Sequence, residues 1–318
     1  MRQQQLPEIP ALGKLYLSAL GSAARSRLTR GDGGTSLPAV RHEVHGAAVD
    51  LEKLTEFQRL VAHSAQDVLP SGYVHTFAFP VAMSVMARED FPLPLLGMVH
   101  LRNQVRHLRP VHWSEPLNVA AWAENLAGHR AGTQVELVAE VSAGGALVWQ
   151  GRSTYLAKGV FLPELDRPQA QQRRDFLPPM PTAQWRLGLD AGRSYAKVSG
   201  DFNPIHLSRL SAKALGMKRS LAHGMYLASR VVEEAVPPHT DAFAWNISFE
   251  APVFLPATVA LSIQDDDAAG AWAGSTFTGW NARSQRRHFS GSVTPLGQAD
   301  PAGPAGLAAG QDAAGSTA

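Results

Sequence analysis

Hydrophobic residues along this chain follow two similar series, one in each half. Each series begins with a long apolar helical pattern, YVHTFAFPVAMSVMARED at 73–90 and LAHGMYLASRVVEEAV at 221–236. Alternating hydrophobic and polar residues follow each helix, as strands with one buried face require. One helix followed by four or five strands, present twice, predicts an α+β fold in which each sheet wraps around a helix.

The strand patterns of the two halves also correspond in order. Each half has an alternating run that contains a Pro-Val pair, at 110–111 in the first half and at 252–253 in the second. The stretches GALVWQGRSTYLAKG at 145–159 and RSQRRHFSGSVTPLG at 283–297 each predict a closing strand. The order of elements therefore indicates an internal duplication.

The helical pattern in the second half is strong. Its apolar positions cover most of the helix surface, which is typical of a helix buried on several sides, and Pro237-Pro238 ends it. Both helical patterns are entered at a histidine, His75 in the first half and His223 in the second. We therefore expect a structural role for both histidines at the entrance of their helices.

Changes in composition and stretches without hydrophobic periodicity divide the chain into segments. The stretch between the halves is rich in Pro, Gln and charge without a sustained period, as linkers are. The C-terminal segment consists almost entirely of Gly, Ala, Pro and small polar residues, so we expect it to be disordered. We predict an N-terminal extension (1–40), a first domain (41–160), a linker (161–182), a second domain (183–296) and a disordered tail (297–318).

Composition also excludes several classes of function. The 318 residues are 45% hydrophobic, which is enough for two cores, and 18% charged, with a formal net charge of only +2. The basic residues are scattered, without a basic helix or an aromatic platform, so nucleic-acid binding is not expected. The absence of cysteine excludes disulfides, thiolate metal sites and a cysteine nucleophile. No apolar run approaches the roughly 20 residues of a membrane span, and no secretory leader is recognisable, so we expect a cytoplasmic protein.

The two halves differ just before the second helix. Aligning FQRLVAHSAQD with GRSYAKVSGD places Asp67 opposite Asp201, and the second half then carries an extra segment, FNPIHLSRLSAKALGMKRSL at 202–221. Within a duplicated scaffold, a segment present in only one copy is where function is expected.

Local physical chemistry gives this segment a predicted geometry. Asn203 is a favoured N-cap, Pro204 suits the first helical position, and the helix should continue to a C-terminal cap at Gly216. His206 then lies in the first turn and Asp201 just outside it, so the two side chains can converge on one pocket. The partial positive charge of a helix N-terminus would keep His206 neutral near pH 7. The alternative is that Asp201 and Asn203 are capping groups and that His206 is an ordinary first-turn residue.

Gly224 favours the interpretation as a functional site. It stands at the start of the buried helix, where a missing side chain lets a ligand carbonyl approach backbone N–H groups at a helix N-terminus. In the first half the aligned residue is Thr76, where no such approach is required.

The stretch SGDFNPIHLSRLSAKALGMKRSLAHGM at 199–225 closely resembles the hydratase motif of the MaoC-like, (R)-specific enoyl-thioester hydratases and dehydratases, which have the hotdog fold. The resemblance covers the Gly-Asp-x-Asn-Pro-x-His core and the His-Gly-Met that follows it. More weakly, GYVHTFAFPVAMSVMAREDFPLPLLGMVH at 72–100 is similar to the degenerate N-terminal hotdog of two-domain members. Together these similarities cover roughly 45–296. They imply a double hotdog, that is, a pseudo-dimer with its two sheets joined and one active site per chain, as a monomer or as a homodimer.

The resemblance also implies roles for residues. Asp201 and His206 would hold the water that adds across a trans-2-enoyl thioester and would shuttle its protons, in an order that the sequence leaves open. Asn203 would fix their loop, and the N–H of Gly224 would bind the thioester oxygen. Together with Asn203, the residues on either side of Gly224, His223 and Met225, are expected to bind substrate. Some family members have a serine one turn further along the central helix, where this chain has Val232. No metal and no other cofactor is implied.

The expected product is a (3R)-3-hydroxyacyl thioester, and the expected partner is acyl-CoA or an acyl carrier protein. Lys213, Lys218 and Arg219 could meet the phosphates of CoA or an acidic carrier, or could form a solvated face. The stretch EDFPLPLLGMVH at 89–100 could line the acyl pocket, could lie between the halves, or could be plain core. Two alternatives stay open: a hotdog thioesterase, and an acyl-thioester-binding protein without catalysis.

Overall fold

A computed structural model describes residues 1–26, 35–169, 175–268 and 270–297. The predicted disordered tail, apart from Gly297, and the centre of the predicted linker lie outside the described residues. The helices are α1 (Leu12–Ser26), α2 (Leu51–Leu60), α3 (Ser71–Met86), α4 (Ala191–Ser199), α5 (Pro204–Leu207), α6 (Arg209–Ala214) and α7 (Gly224–Ala235). The strands are β1 (Arg2–Gln5), β2 (Val40–Ala47), β3 (Met98–His107), β4 (Leu117–His129), β5 (Gly132–Ala143), β6 (Ala146–Lys158), β7 (Ala183–Leu187), β8 (Phe243–Phe249), β9 (Ala257–Ala268), β10 (Ala271–Asn281) and β11 (Arg287–Pro295).

The strands form one sheet in the order β1-β2-β4-β5-β6-β3-β8-β11-β10-β9-β7. We call β2–β6 with α2 and α3 the first repeat, and β7–β11 with α4–α7 the second repeat. Numbered within its own repeat, each set of five strands has the same order, 1-3-4-5-2, so the topology bears out the duplication seen in the sequence.

The two repeats join through antiparallel pairing of β3 with β8, in which Arg102 lies opposite Ser248 and His107 opposite Phe243. Within each repeat the paired strands are antiparallel, and among the described strands β1 alone pairs in parallel, with β2. This single sheet with its buried helices is the α+β, double hotdog architecture that the resemblance implies.

The central helices α3 and α7 cross closely inside the sheet. A Cβ atom on Gly72 would lie 2.1 Å from Oγ of Ser229, so glycine at 72 permits the approach of the two helices. The hydroxyl of Ser71, at the start of α3, accepts hydrogen bonds from the indole N–H groups of Trp149 and Trp245, at 3.1 and 2.9 Å. Because Trp149 belongs to β6 and Trp245 to β8, these bonds fix the start of α3 to strands of both repeats.

The N-terminal extension packs against the first repeat. β1 adds an edge strand beside β2, and α1 buries Leu12 and Tyr16, one turn apart, with Leu15 and Ala19 partly buried. Apolar residues at this spacing form one face of a helix. The extension is therefore folded onto the domain, a role that the sequence did not predict.

Two predictions about helices are wrong in detail. The helix expected from Pro204 to Gly216 is interrupted at Ser208, which is extended (φ −154°, ψ 163°) and whose side chain accepts the N–H of Ser211. Ser208 thereby caps a second helix, α6, because a serine side chain competes well for a free helical N–H group. The predicted C-terminal cap is correct, since Gly216 has φ +81° just after α6.

His75 is not at the entrance of its helix. α3 begins at Ser71, so His75 lies in the second turn, where it is buried, whereas His223 is the residue immediately before α7. The equivalence of these two histidines, and with it the comparison of Thr76 with Gly224, is therefore wrong. The apolar pattern continues smoothly through 71–86, so hydrophobicity alone did not mark the start of α3.

None of the helices among the described residues is both long enough and apolar enough to span a membrane.

Candidate active site

The backbone around Gly200 places Asp201 at the end of α4. Gly200 adopts the left-handed conformation (φ 74°) and its N–H donates to the carbonyl of Ala196, which closes the helix as glycine commonly does. The chain then turns sharply, and Oδ1 of Asp201 accepts the N–H of Asn203 at 3.2 Å. The same oxygen accepts the hydroxyl of Tyr16 at 3.0 Å.

Asn203 and Pro204 then begin the short helix α5, as predicted. Oδ1 of Asn203 accepts the N–H of Ile205 at 3.3 Å, and Pro204 is the first helical residue. A Cβ atom on Gly192 would lie 2.1 Å from the carbonyl oxygen of His206, so only glycine allows α4 and α5 to lie this close. This close packing holds His206 beside Asp201.

The backbone of Leu221 fixes the ring of His206. Nδ1 of His206 donates to the carbonyl of Leu221 at 3.0 Å, and the N–H of Leu221 donates to the carbonyl of Ile205 at 3.1 Å. In the neutral ring Nδ1 therefore carries the proton, and Nε2 is left with a lone pair that can accept one.

Burial lowers the pKa of His206 below its ordinary value, while Asp201 and the carbonyl of Leu221 act in the opposite direction. The prediction of a neutral imidazole thus agrees with the structure, but the predicted cause was different. Desolvation is the largest cause, and α5 is only four residues long, so the N-terminal field of a long helix is not needed.

His223 supports both members of this pair. Its Nε2 donates to the backbone carbonyl of Asp201 at 3.0 Å and lies 3.7 Å from Oδ2 of the same residue. Its ring stacks on that of His206, with centroids 3.7 Å apart. Burial, followed by the effect of His206, lowers the pKa of His223 well below its ordinary value. These contacts fit the predicted structural role at the helix entrance, and its role in binding substrate stays a prediction.

Asp201, His206 and His223 place one possible ligand atom each within 4.8 Å of one another, close enough to surround a metal ion. Two of their ring nitrogens, Nδ1 of His206 and Nε2 of His223, already donate hydrogen bonds to carbonyl groups. A metal would have to rely on the carboxylate, Nε2 of His206 and the buried Nδ1 of His223. The hydrogen bonds therefore suit a proton-transfer pair better than a ligand set.

Gly224 opens α7 beside this pair. Among the described residues no side chain caps α7, so the first N–H groups of the helix lack the side-chain partner that usually satisfies them. A Cβ atom on Gly224 would lie 3.1 Å from Cζ of Phe249. Glycine thus has a packing reason here as well as the predicted one, and the role of the Gly224 N–H as an oxyanion donor stays a prediction.

Met225 points towards the first repeat. Its sulfur accepts a hydrogen bond of 3.4 Å from the buried side chain of Asn103 on β3, and Asn103 in turn accepts one from Ser153 on β6. Substrate binding by Met225 stays a prediction, since this contact joins the two repeats. Val232, at the position where some relatives have serine, is fully buried, and the hydroxyl of Ser229 donates to the carbonyl of Met225.

The first repeat supplies one wall of the site. His100, on β3, stacks on Tyr155 with centroids 4.5 Å apart and lies 5.1 Å from the ring of Phe249, the residue that faces Gly224. Burial, followed by the charge of Asp201, raises the pKa of both Tyr155 and Tyr16, so both phenols keep their protons. Sequence reasoning missed both tyrosines. The one signal for Tyr16 was its place on the apolar face of α1.

Exposed basic residues follow the pair along the chain. Lys213 lies on α6, and Lys218 and Arg219 lie on the exposed stretch between α6 and α7. Leu210 and Leu215, from the same segment, are 82% and 49% exposed. The surface next to the site is therefore both basic and apolar.

Comparisons with known proteins agree with this geometry. The family model described as MaoC like domain matches residues 167–276, which contain the whole candidate site except Tyr16, His100 and Tyr155. The 3-hydroxyacyl-thioester dehydratase X of Mycobacterium tuberculosis is 34% identical over 204 residues, which are 64% of this chain and 72% of that protein. The (R)-specific enoyl-CoA hydratase of Aeromonas caviae is 30% identical over 83 residues, 25% of this chain and 62% of that protein.

The similarity extends to three dimensions. The crystal structure of HtdX from Mycobacterium tuberculosis superposes with a TM-score of 0.68 and 29% sequence identity, over 80% of this chain and 100% of that one. The match therefore includes both repeats and is not limited to the motif. Sequence, fold and site geometry together show that this chain belongs to the MaoC-like dehydratase family.

Proposed function

We propose that this protein catalyses the reversible addition of water to trans-2-enoyl thioesters, giving (3R)-3-hydroxyacyl thioesters. The observation that carries the proposal is the convergence of Asp201 and His206 beside the start of α7. A carboxylate and a neutral imidazole lie together, with one possible ligand atom of each within 4.8 Å of the other. They lie next to helical N–H groups that no side chain caps among the described residues.

These groups match what the reaction needs. In the hydration direction the water oxygen forms a bond to C3, one water proton passes to the pair, and C2 receives a proton. Nε2 of His206 and Oδ2 of Asp201 are the atoms available for these two transfers, because Nδ1 and Oδ1 already hold other partners. A positioned acid or base typically accelerates such a step by about 10² to 10⁴.

The thioester oxygen gains negative charge while C2 is protonated or deprotonated. We place this oxygen at the N–H of Gly224, where the field of the twelve-residue helix α7 also favours negative charge. Support comes from the glycine itself, since a side chain there would fill the approach to the N–H group.

The acyl chain would lie against the first repeat. His100, Tyr155 and Phe249 form an aromatic surface beside Gly224. Tyr155 also lines a mostly apolar cavity with Phe79, Leu137 and Trp149. Its volume of about 10 Å³ is no more than one water needs, so an acyl chain would have to displace these side chains to enter it. The first repeat would then contribute to substrate binding without proton-transfer groups of its own.

The carrier would dock on the basic surface around α6. Lys213, Lys218 and Arg219 are exposed, and their charge suits the phosphates of CoA and the acidic surface of an acyl carrier protein alike. Leu210 and Leu215 add apolar contact area for a pantetheine arm. Because both repeats and the single proposed site belong to one chain, a monomer would suffice for activity.

The test is a spectroscopic assay of the purified protein with crotonyl-CoA, octenoyl-CoA and dodecenoyl-CoA. Loss of the enoyl-thioester absorbance without release of free thiol, and a (3R) product on chiral analysis, is the expected result. Release of thiol would favour the thioesterase alternative. No turnover of the CoA esters, and none of the carrier-protein esters, would favour a non-catalytic binding protein.

A further inference from the structure

The N-terminal helix places a hydroxyl group on the catalytic carboxylate. Tyr16 lies on the buried face of α1, is 8% exposed, and donates to Oδ1 of Asp201 at 3.0 Å across 185 positions of sequence. Neither the motif nor the region matched by the family model contains Tyr16.

The two oxygens of Asp201 have different surroundings. Oδ1 accepts two hydrogen bonds, from Tyr16 at 3.0 Å and from the N–H of Asn203 at 3.2 Å. Oδ2 lies on the side of the stacked imidazoles, 3.7 Å from Nε2 of His223. Two donors on one oxygen fix the rotation of the carboxylate and leave Oδ2 without either of these donors, on the side of His223.

Tyr16 suits this role chemically. Burial and the neighbouring Asp201 raise its pKa, so the phenol stays protonated and can only donate to the carboxylate. A phenol also adds no charge next to His206. A lysine or arginine at this place would instead form an ion pair with Asp201 and compete with its role in proton transfer.

α1 is anchored on the first repeat. Leu12, one turn before Tyr16, is 3% exposed, and α1 packs on α3 of the first repeat, whereas Asp201 belongs to the second. The extension thus joins the loop of Asp201 to the opposite repeat.

We propose that Tyr16 is a positioning residue for the hydration reaction, and that it holds Asp201 with Oδ2 turned towards His206 and the reacting water. The proposal rests on the proposed function of Asp201. It also implies that the N-terminal extension is part of the active site.

The experiment compares Tyr16→Phe with the wild-type protein in full Michaelis kinetics on the best CoA substrate. We expect kcat to fall about tenfold to hundredfold, the range that loss of one hydrogen bond to a charged group gives, with KM changed less than about threefold. Tyr73→Phe is the matched control, because the hydroxyl of Tyr73 is also buried but donates to the carbonyl of Asp50, outside the site. It should keep the wild-type kcat.

A double-mutant cycle on thermal stability, with Tyr16→Phe and Asp201→Ala, tests the contact independently of turnover, because alanine removes the acceptor of the Tyr16 hydroxyl. Non-additive changes in Tm are expected, since the two side chains interact. Additive changes, or a Tyr16→Phe variant with a kcat equal to or above that of an active wild-type protein, would overturn the positioning role and leave the proposed function standing. A wild-type protein that hydrates none of the thioesters would contradict the proposed function, and with it the role of Tyr16.

Discussion

The two repeats have the same strand order and differ mainly in how the chain enters the central helix. In the first repeat, residues 61–70 connect α2 to α3, and in the second, the longer segment 200–223 connects α4 to α7 and contains α5 and α6. The longer connection supplies Asp201, His206 and His223, while the first repeat has an exposed Asp67 and a buried His75. The comparison teaches that the shared scaffold provides the start of a central helix and one side of the candidate site. The longer connection of the second repeat provides the proton-transfer groups.

The largest effect is expected from Asp201→Asn, with Asp67→Asn as its counterpart in the first repeat. The amide can still accept hydrogen bonds at this position but cannot exchange the proton, so kcat should fall by about 10² to 10⁴. Steady-state kinetics and thermal melts check both variants. Wild-type turnover in Asp201→Asn would contradict the assignment, and an unfolded variant would favour a capping role for Asp201.

His75 should affect the pH dependence of stability, whereas His206 should affect catalysis. Burial lowers the pKa of His75 to about 4, so between pH 6.5 and 4 the unfolded chain binds a proton that the folded protein does not. The free energy of unfolding should therefore decrease as the pH is lowered through this window, by up to roughly 3 kcal/mol from His75 alone. His75→Leu should remove that part of the fall in urea unfolding measured at pH 7 and pH 4.5. An identical pH dependence in the variant and the wild type would refute the effect.

Gly224→Ala should lower kcat by about tenfold to hundredfold, because a methyl group would stand in the approach to the N–H group. The same methyl group would also crowd the ring of Phe249 at 3.1 Å. The double variant with Phe249→Leu separates these causes, since it relieves the crowding and leaves the methyl group in place. Full recovery of kcat in the double variant would show that glycine is needed there only for packing.

The smallest effect is expected at the basic surface. Lys213→Glu combined with Lys218→Glu should raise KM for CoA esters about threefold to tenfold at low ionic strength, and less at high salt, where exposed charges are screened. Lys53→Glu, on α2 of the first repeat, is the control and should leave KM unchanged. Equal KM values for the two charge-reversed proteins would place the carrier elsewhere.

The pH–rate profile sharpens the assignment of His206. Because burial lowers the pKa of His206 below 6.5, its neutral form persists into more acidic solution. The acid limb of kcat/KM that belongs to this imidazole should therefore have its midpoint below pH 6.5, and His206→Gln should remove it. A midpoint above 6.5 would show that His206 is not desolvated in the way the structure indicates.

Local features of this fold could be predicted from the sequence because they depend on neighbouring residues. The cap at Asn203, the glycine that ends α6 and the alternation of the strands are all properties of a few consecutive positions. The duplication followed from the repeated order of such patterns, and the motif placed Asp201 and His206 together.

Other features could not be predicted because they depend on distant contacts. The contact of Tyr16 with Asp201 spans 185 residues, and the stacking of His206 on His223 requires the connection 207–222 to fold back on itself. The start of α3 was misplaced because it depends on Ser71, whose hydroxyl is bound by two tryptophans from other strands. Similarly, burial and not a long helix lowers the pKa of His206, and burial is a property of the packed molecule.

The most direct test of the central claim is the fate of the water oxygen. Wild-type protein and His206→Gln would be incubated with crotonyl-CoA in H₂¹⁸O, and the products analysed by mass spectrometry. We expect the wild type to give 3-hydroxybutyryl-CoA with ¹⁸O on C3 and an intact thioester, at a rate that His206→Gln lowers by orders of magnitude. Label in a free carboxylate, or an equal rate in the variant, would contradict the proposed reaction or the site assigned to it.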